Sequence, residues 1–521
     1  MAGPFSRLLD FSTRGLVARV YDATTVLAIV VYHHILGAKY RWAPIGYDER
    51  YFLNEGWSVT KGLVPYRDFL DFKPPGIFFV NALGIKLFGL DAMGYRQIFS
   101  ILSVCAFLSL TIALLSRGTN RLLVGGVLAL MIDHFFDDVF HTSSNSCINS
   151  AETLGLDFFM MGCGVLLLRT KWERTQQFVG GALLALAPLS KEPLLFPVGA
   201  AWLAILILCR IDSRREGAKR FALFTIAGAS VIATTWLAYM LVTHSLGWYI
   251  AQVKLSIAYT KNYAYQVNWF PREPKGGMVA ECLRRLRSSY VNASHIGVFI
   301  PLLIAPLALW GRRTIVGAAA LATAAASLYA VTIGHGFCPR YFIMAMTGTF
   351  FCVVVGTIAL DGYSKRAGDA MRKWVGTTWL AVALVNTGPR LADEWKKYEE
   401  YKPEPPPVSQ SDVDFVRTHS DPGDTIWTTG DPLLYVYSDR VSAFRGGVVL
   451  DELLEYYPGD TDEERVTTQR EGLLLHRPKL VVINDETVGA HRKQRYVNAL
   501  VTPFLRDGGY LQLNDRFYLR P

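Results

Sequence analysis

Long apolar segments without charges are the feature that most constrains this chain. Segments of about 17–25 mostly apolar residues can cross a hydrocarbon layer of about 30 Å as helices, because each residue adds about 1.5 Å. The 521 residues are 51% hydrophobic and 19% charged, below the roughly 25% charged residues of soluble proteins. The sequence predicts an α-helical polytopic membrane protein with about eleven transmembrane helices, and up to thirteen. The eleven apolar segments are 23–39, 97–116, 122–136, 152–168, 177–189, 193–209, 221–243, 295–310, 315–333, 341–360 and 373–388.

A further apolar stretch at 75–90 affects the topology, because counting it as a span would reverse the orientation of all later segments. Its 16 residues would reach only about 24 Å as a helix. The stretch contains Asn81 and Lys86 and follows Pro74. We therefore predict an interfacial or re-entrant helix that lies along the membrane.

Basic residues are concentrated in the segments that this topology places in the cytoplasm. Those segments hold 19 Lys or Arg and 7 Asp or Glu; they are 1–22, 117–121, 169–176, 210–220, 311–314 and 361–373. Short cytoplasmic loops carry an excess of Lys and Arg, so we predict a cytoplasmic N-terminus and an outer C-terminus in a bacterial cytoplasmic membrane. The net charge of +9 then reflects orientation, and we expect no nucleic-acid partner.

The last part of the chain differs in character from the membrane segments. A proline-rich linker at 402–407 precedes two short β-like runs at 425–429 and 479–484. We predict a transmembrane catalytic domain at 1–390 and a small soluble α/β domain at 391–521 on the outer face. Two long outer segments, 40–96 and 244–294, are expected to build the site.

The first long outer segment holds a dense set of polar residues. Asp48 and Glu49 follow the first span, and Lys73 stands ahead of two prolines. A carboxylate can take the proton of an attacking hydroxyl, and a fixed cation can neutralise a phosphate leaving group. We predict Asp48 and Glu49 as catalytic residues and Tyr66, Asp71 and Lys73 as substrate-binding residues. The alternative is that these are ordinary solvated loop charges.

Charged residues in the short outer turns are further candidates. Lys191 lies in a turn between two apolar helices, and His335, Arg340 and Tyr341 lie at the outer end of a late span. Ionisable groups at such places are candidates for function. We predict that all four bind substrate. The alternatives are an ion pair between Lys191 and Glu192 or snorkelling, and an interface anchor at Arg340.

Aromatic residues crowd the second long outer segment, and Trp269 is predicted to contact substrate there. An aromatic interfacial belt is the alternative. The seven cysteines show no C-x-x-C spacing, which gives a zinc site no support. The sequence contains no Walker A, G-x-G-x-x-G, H-E-x-x-H or G-x-S-x-G motif. ATPase, dinucleotide, zincin and α/β-hydrolase functions are therefore unsupported.

Several short motifs in fixed order together resemble one family. They are Asp48-Glu49, the Gly-x-x-x-Tyr segment at 62–66, Lys73-Pro74-Pro75, Phe88-Gly89, Arg96, the turn at 190–193 and Arg340-Tyr341. In this order the chain resembles the GT-C glycosyltransferases that use polyprenyl-phosphate sugars. Within them it is most similar to the clan of the lipid A aminoarabinose transferase and the protein O-mannosyltransferases (families 39 and 83).

This resemblance implies a GT-C fold and an inverting sugar transfer from a polyprenyl-phosphate donor. Asp48 would be the general base, while Lys73, Lys191 and Arg340 would hold the donor phosphate. Besides membrane lipids, the implied partners are the donor and an envelope glycolipid or polysaccharide acceptor. Phe72 stands where the aminoarabinose transferase pattern has Glu, which leaves open the donor sugar and any divalent metal ion; no cofactor is otherwise implied.

Two other functions fit an outer site of this kind. A flippase or transporter of a lipid-linked glycan would be expected to show pseudo-symmetric halves with interrupted helices, and the sequence shows neither. A polysaccharide polymerase or ligase would share the donor but keep its catalytic residues in late outer loops.

Overall fold

The computed structural model describes most of the chain as helix, with one small sheet near the C-terminus. The described residues are 16–71, 73–137, 149–266, 296–309, 311–333, 341–402, 408–443, 470–471, 473–483 and 500–521. The helices of the first 402 residues are α1 (Leu16–Trp42), α2 (Tyr47–Thr60), α3 (Gly76–Phe88), α4 (Ala92–Ser116), α5 (Arg121–Asp137), α6 (Ala151–Leu167), α7 (Glu173–Ser190), α8 (Leu195–Val242), α9 (Leu246–Gln266), α10 (Ile296–Leu309), α11 (Thr314–Ile333), α12 (Phe342–Ala367) and α13 (Asp369–Lys397).

Helices occupy all the segments for which the sequence predicts membrane spans. Within the described residues, six helical stretches are both long and apolar enough to cross a membrane: Arg19–Trp42, Gly94–Ser116, Glu192–Ile211, Glu216–Val242, Thr314–Val331 and Phe342–Ala367. The remaining predicted spans are the shorter helices α5, α6 and α10 and the more polar α7 and α13. The chain is therefore a multi-pass membrane protein.

The helix α8 differs from the prediction. The sequence predicts two spans separated by a loop at 210–220, whereas one helix continues through this segment as Leu195–Val242. The segment holds four Arg, one Lys and one Ala, contains no proline and has a single glycine, Gly217. These residues favour helix, so polarity alone did not end the helix, and the predicted loop was wrong.

The apolar stretch at 75–90 forms the separate short helix α3. Its 13 residues span about 20 Å, less than the hydrocarbon core. Gly89 ends the helix with a φ of +93°, a conformation that glycine adopts without strain. A helix too short to span the membrane is what the sequence predicts here.

Most residues of the membrane helices belong to one compact unit, which comprises 1–43, 96–237 and 267–403; the last residues of α8 belong to the other unit. The membrane helices approach closely where glycines face a neighbouring backbone. A Cβ at Gly181 of α7 would lie 2.1 Å from the carbonyl oxygen of Thr225 in α8. A Cβ at Gly228 of α8 would lie 1.9 Å from the carbonyl oxygen of Phe178 in α7. Small residues permit such crossings in membrane proteins. We infer that larger side chains at these glycines would separate α7 from α8.

The second compact unit comprises 44–95, 238–266 and 404–521. Its sheet has the order β2-β1-β3-β5-β4; β1 is parallel to β2 and β3, and β5 is antiparallel to β3 and β4. The strands are β1 (Thr425–Thr428), β2 (Val441–Ser442), β3 (Leu480–Val482), β4 (Leu511–Gln512) and β5 (Phe517–Leu519), and the helices are α14 (Gln410–His419), α15 (Leu433–Ser438) and α16 (Thr502–Asp507). β1 and β3 confirm the two predicted β-runs. The predicted domain boundary at 390/391 stays a prediction.

Within this second unit, α2 packs on the α/β fold. Leu53 and Trp57 of α2 share one buried apolar cluster with Ile426 and Leu433. Arg50 also forms an ion pair with Asp431. Apolar burial of this kind supplies most of the stability of a short helix. The α/β fold therefore holds α2 in place.

Candidate functional site

The helix α2 presents two carboxylates on one face. Asp48 and Glu55 are seven residues apart, two turns of a helix, so their side chains leave the same side. Gly46 precedes the helix in an extended conformation, and the acidic first turn suits the positive end of the helix dipole. The predicted base is therefore accompanied by a second carboxyl group that the sequence interpretation missed.

Glu55 connects the predicted site residues of this segment. It is buried, and burial raises the pKa of its carboxyl well above the ordinary value. The charge of Asp71 and a hydrogen bond with it raise the pKa further, as does Asp48, whereas Lys73 lowers it. Two carboxyl groups share a hydrogen bond when one carries a proton. The structure thus brings Asp48, Asp71 and Lys73 around Glu55, whose raised pKa favours the protonated carboxyl.

Two hydrogen bonds fix the backbone at Lys73. Its N–H donates to Oδ1 of Asp71 at 2.6 Å, and its carbonyl oxygen accepts from the Tyr66 hydroxyl at 2.9 Å. Pro75 then caps α3. Because the backbone N–H and carbonyl of Lys73 are both hydrogen-bonded, its side chain starts from a fixed position. This preorganises its ammonium for binding an anion.

Tyr66 is buried, and its backbone lies in the left-handed region at a φ of +66°. Such a conformation costs a non-glycine residue energy and is kept where the surroundings enforce it. The Tyr66 ring meets the rings of Tyr249 and Phe78, with centroids 5.1 and 6.1 Å away. These contacts show that Tyr66 holds the loop of Lys73; its predicted contact with substrate stays a prediction.

Glu49, the neighbour of Asp48, makes hydrogen bonds of its own. Its side chain is fully buried; Oε1 accepts from the Tyr95 hydroxyl at 2.8 Å, and Oε2 accepts from the Gly46 N–H at 3.2 Å. Both oxygens are thereby engaged in fixing the start of α2. The predicted catalytic pair consists of one half-buried carboxylate, Asp48, and one that anchors the helix.

In the membrane unit, the structure brings together Lys191 and Tyr341, two predicted site residues. The Lys191 ammonium lies 4.7 Å from the centroid of the Tyr341 ring and 2.8 Å from Oε1 of Glu152. All three residues are buried. The ion pair that the structure shows for Lys191 is with Glu152, and this carboxylate neutralises the lysine.

A local helix signal places Glu152 in the first turn of α6. Ser150 caps α6 by accepting a hydrogen bond from the Thr153 N–H at 3.0 Å, which sets Glu152 in the first turn. Lys191 directly follows the end of α7. The sequence interpretation took 152 as the first residue of an apolar span. A single carboxylate at the edge of such a span was the signal that could have identified it.

Three predicted site residues, Trp269, His335 and Arg340, lie outside the described residues. Their roles stay predictions. Within the described residues, no group of three or more His, Cys, Asp or Glu side chains could hold a metal ion.

The raised pKa of Glu55 predicts a pH dependence of stability. The folded state keeps the proton of Glu55 above the ordinary carboxyl pKa of about 4.3, whereas the unfolded state releases it. The free energy of unfolding should therefore fall as the pH rises from the ordinary carboxyl pKa to the raised pKa of Glu55. Above that raised pKa it should level off. Glu55→Gln, whose amide can still donate to Asp71, should remove this fall.

Denaturation of detergent-solubilised protein between pH 4 and pH 9 measures the effect. Glu471→Gln, at an exposed glutamate of the same unit, is the matched control and should follow the wild type. Parallel curves for the wild type and Glu55→Gln would show that Glu55 is not held protonated.

The fold is similar to those of solved membrane proteins. One is the structure of ArnT from Cupriavidus metallidurans bound to undecaprenyl phosphate. The two chains are 14% identical and superpose with a TM-score of 0.54, over 96% of this chain and 97% of that chain. Its apo state gives 15% identity, a TM-score of 0.55 and the same coverage. The oligosaccharyltransferase AglB from Archaeoglobus fulgidus, in complex with an inhibitory peptide and a dolichol-phosphate, gives 12% identity and a TM-score of 0.53, over 97% of this chain and 75% of that chain.

No family model and no curated protein sequence matches the chain. ArnT and AglB belong to the GT-C superfamily. The chain therefore has the GT-C fold that the sequence resemblance implies.

Proposed function

We propose that this protein is an inverting glycosyltransferase that moves a sugar from a polyprenyl-phosphate donor to an envelope glycolipid or polysaccharide. The observation that carries the proposal is the cluster of Asp48, Glu55, Asp71 and Lys73 in the second unit. The fold supports it, since structures that it resembles hold undecaprenyl phosphate or dolichol-phosphate.

In the proposed reaction, the acceptor hydroxyl attacks the anomeric carbon as the bond to the phosphate oxygen breaks. Asp48 takes the hydroxyl proton, and polyprenyl phosphate leaves from the opposite face of the sugar. Lys73 neutralises the charge that develops on the leaving phosphate. Because the raised pKa of Glu55 disfavours its charged form, the ammonium of Lys73 faces fewer competing carboxylates.

The other residues of this segment support the two reacting groups. We assign Glu49 and Tyr66 to positioning, since their side chains hold the start of α2 and the loop of Lys73. In the membrane unit, Lys191 and Tyr341 are proposed to bind the donor phosphate. An ammonium has three N–H donors, so its ion pair with Glu152 is compatible with a bond to a phosphate oxygen.

Transfer by purified protein tests the function directly. Detergent-solubilised protein is mixed with a panel of labelled polyprenyl-phosphate hexoses and pentoses and with an extract of envelope glycolipids and polysaccharide. We expect label to enter one acceptor fraction with release of polyprenyl phosphate. A transporter would instead move labelled donor across proteoliposomes without forming product, and that result would contradict the proposal.

The proposed orientation has its own test. Alkaline phosphatase fused after Pro521 should be active if the α/β fold lies outside the cytoplasmic membrane, because this enzyme folds only where disulfides form. A fluorescent protein that matures in the cytoplasm, fused at the same residue, is the reciprocal control. An inactive phosphatase with a bright fluorescent fusion would reverse the orientation.

A further inference from the structure

A cavity of about 610 Å³ lies in the membrane unit, outside the site described above. It is formed by the end of α4, the segment that follows α6, α8, the α10–α11 connection and the last turns of α12. Its lining combines five cations with apolar residues. The cations are Arg117, Arg169, Arg313, Lys365 and Arg366.

The lining contains one carboxylate, Asp361, and the structure already engages it. Oδ1 of Asp361 accepts from Nε of Arg372 and from the Asn120 N–H, both at 3.0 Å. Arg372 is not part of the lining. Asp361 therefore balances a cation outside the cavity, and the lining keeps a positive charge.

Two of the cations are anchored by main-chain oxygens. Nε of Arg117 donates to the carbonyl of Leu167 at 2.6 Å, and Nη2 of Arg366 donates to the carbonyl of Leu309 at 3.1 Å. These carbonyls belong to the last residues of α6 and α10, where helices leave carbonyl groups without helical partners. A carbonyl oxygen directs a guanidinium without cancelling its charge.

The cavity is remote from the Lys191–Tyr341 pair. Arg169 precedes α7 and Lys191 follows it, so the 18 residues of α7, about 27 Å of helix, lie between them. Tyr341 and Lys365 likewise lie at opposite ends of α12. In the predicted topology the cavity opens at the cytoplasmic face.

We propose that this cavity binds a phosphate head group at the membrane face opposite the donor site. Three cations of the cavity lining are solvent-exposed, namely Arg169, Lys365 and Arg366. They can approach a phosphate from several directions. Leu208, Leu309 and Ile358 supply an apolar wall beside these cations. A basic pocket with apolar walls between membrane helices suits the head group and first methylenes of an anionic phospholipid. A soluble phosphate ester offers the same head group without the chains.

The test uses the full-length protein in detergent and measures retained lipid by native mass spectrometry. Wild-type protein is titrated with phosphatidylglycerol, with phosphatidylcholine of the same acyl chains, and with pyrophosphate alone. The lining variant carries Arg169→Gln, Lys365→Gln and Arg366→Gln. The matched control carries Lys171→Gln, Arg174→Gln and Lys373→Gln, three exposed cations outside the lining.

We expect wild type and control to retain phosphatidylglycerol in preference to phosphatidylcholine, and the lining variant to bind it at least roughly tenfold more weakly. Pyrophosphate binding that the lining variant alone loses would support the site and identify a soluble ligand. Equal binding of both phospholipids, or an equal loss in the two variants, would overturn the proposal. If the triple variant does not fold, Lys365→Gln and Lys373→Gln provide the same comparison with one charge each.

Discussion

Asp48→Asn is expected to lower the rate of sugar transfer by roughly 10²- to 10⁴-fold, the usual contribution of a general base. Asn keeps the size of the side chain but cannot accept the proton of the acceptor hydroxyl. The variant should remain folded, because Asp48 is half-buried in the first turn of α2 and Asn fills the same space. Initial rates with purified protein measure the effect, and the unfolding midpoint monitors the fold.

Two further variants separate catalysis from general charge effects. Asp414→Asn removes an exposed carboxylate of the same unit and should transfer sugar at the wild-type rate. Asp48→Glu keeps a base but moves it by one methylene, so an intermediate rate is expected. Wild-type transfer by a folded Asp48→Asn protein would assign the base elsewhere, leaving the GT-C fold and the Lys73 loop unaffected.

Glu152→Ala is expected to destabilise the membrane unit by about 3–5 kcal/mol, because it leaves the buried ammonium of Lys191 without its carboxylate. The doubly neutral variant Lys191→Met/Glu152→Gln should recover most of this stability, since neither charge then remains buried. Thermal or denaturant unfolding in detergent measures both. Donor binding should not recover in the double variant, because the phosphate then lacks the lysine.

An exposed ion pair in the same unit is the matched control. Lys397 and Asp393 are 2.6 Å apart on α13, and each is about half exposed. Such surface pairs contribute little, so Asp393→Ala should leave the unfolding midpoint nearly unchanged. A Glu152→Ala midpoint equal to that of this control would contradict the buried pair. Wild-type donor affinity in the double variant would remove Lys191 from the phosphate site while leaving its structural role intact.

The parts of the fold that sequence could predict were those with a local cause. Apolar length predicts the membrane helices, and β-branched residues predict β1 and β3. The continuity of α8 was missed because the polar residues at 210–220 suggested a loop, although their intrinsic preference is helical. Polarity and secondary structure are separate properties, and a polar segment between two spans can continue as a helix.

In the candidate site, too, the residues with a local sequence signal could be predicted and the long-range contacts could not. Asp48 and Lys73 could be predicted because a carboxylate after a span and a lysine before two prolines are visible as motifs. Glu55 could have been found from its seven-residue spacing to Asp48, whereas its hydrogen bond with Asp71 depends on how the chain folds back. The pairing of Glu152 with Lys191 joins residues of different helices, and no local pattern specifies it.

The packing of α2 on the α/β fold has a consequence for how the protein is made. Arg50 and its partner Asp431 are 381 residues apart, and Phe517 of β5 belongs to the same apolar cluster as Leu53 and Trp57. A nascent chain therefore carries its acidic helix through almost the whole of synthesis before the surface that orders it exists. The proposed base is assembled only after β5 has been made, so a chain interrupted earlier could be inserted in the membrane yet unable to consume donor.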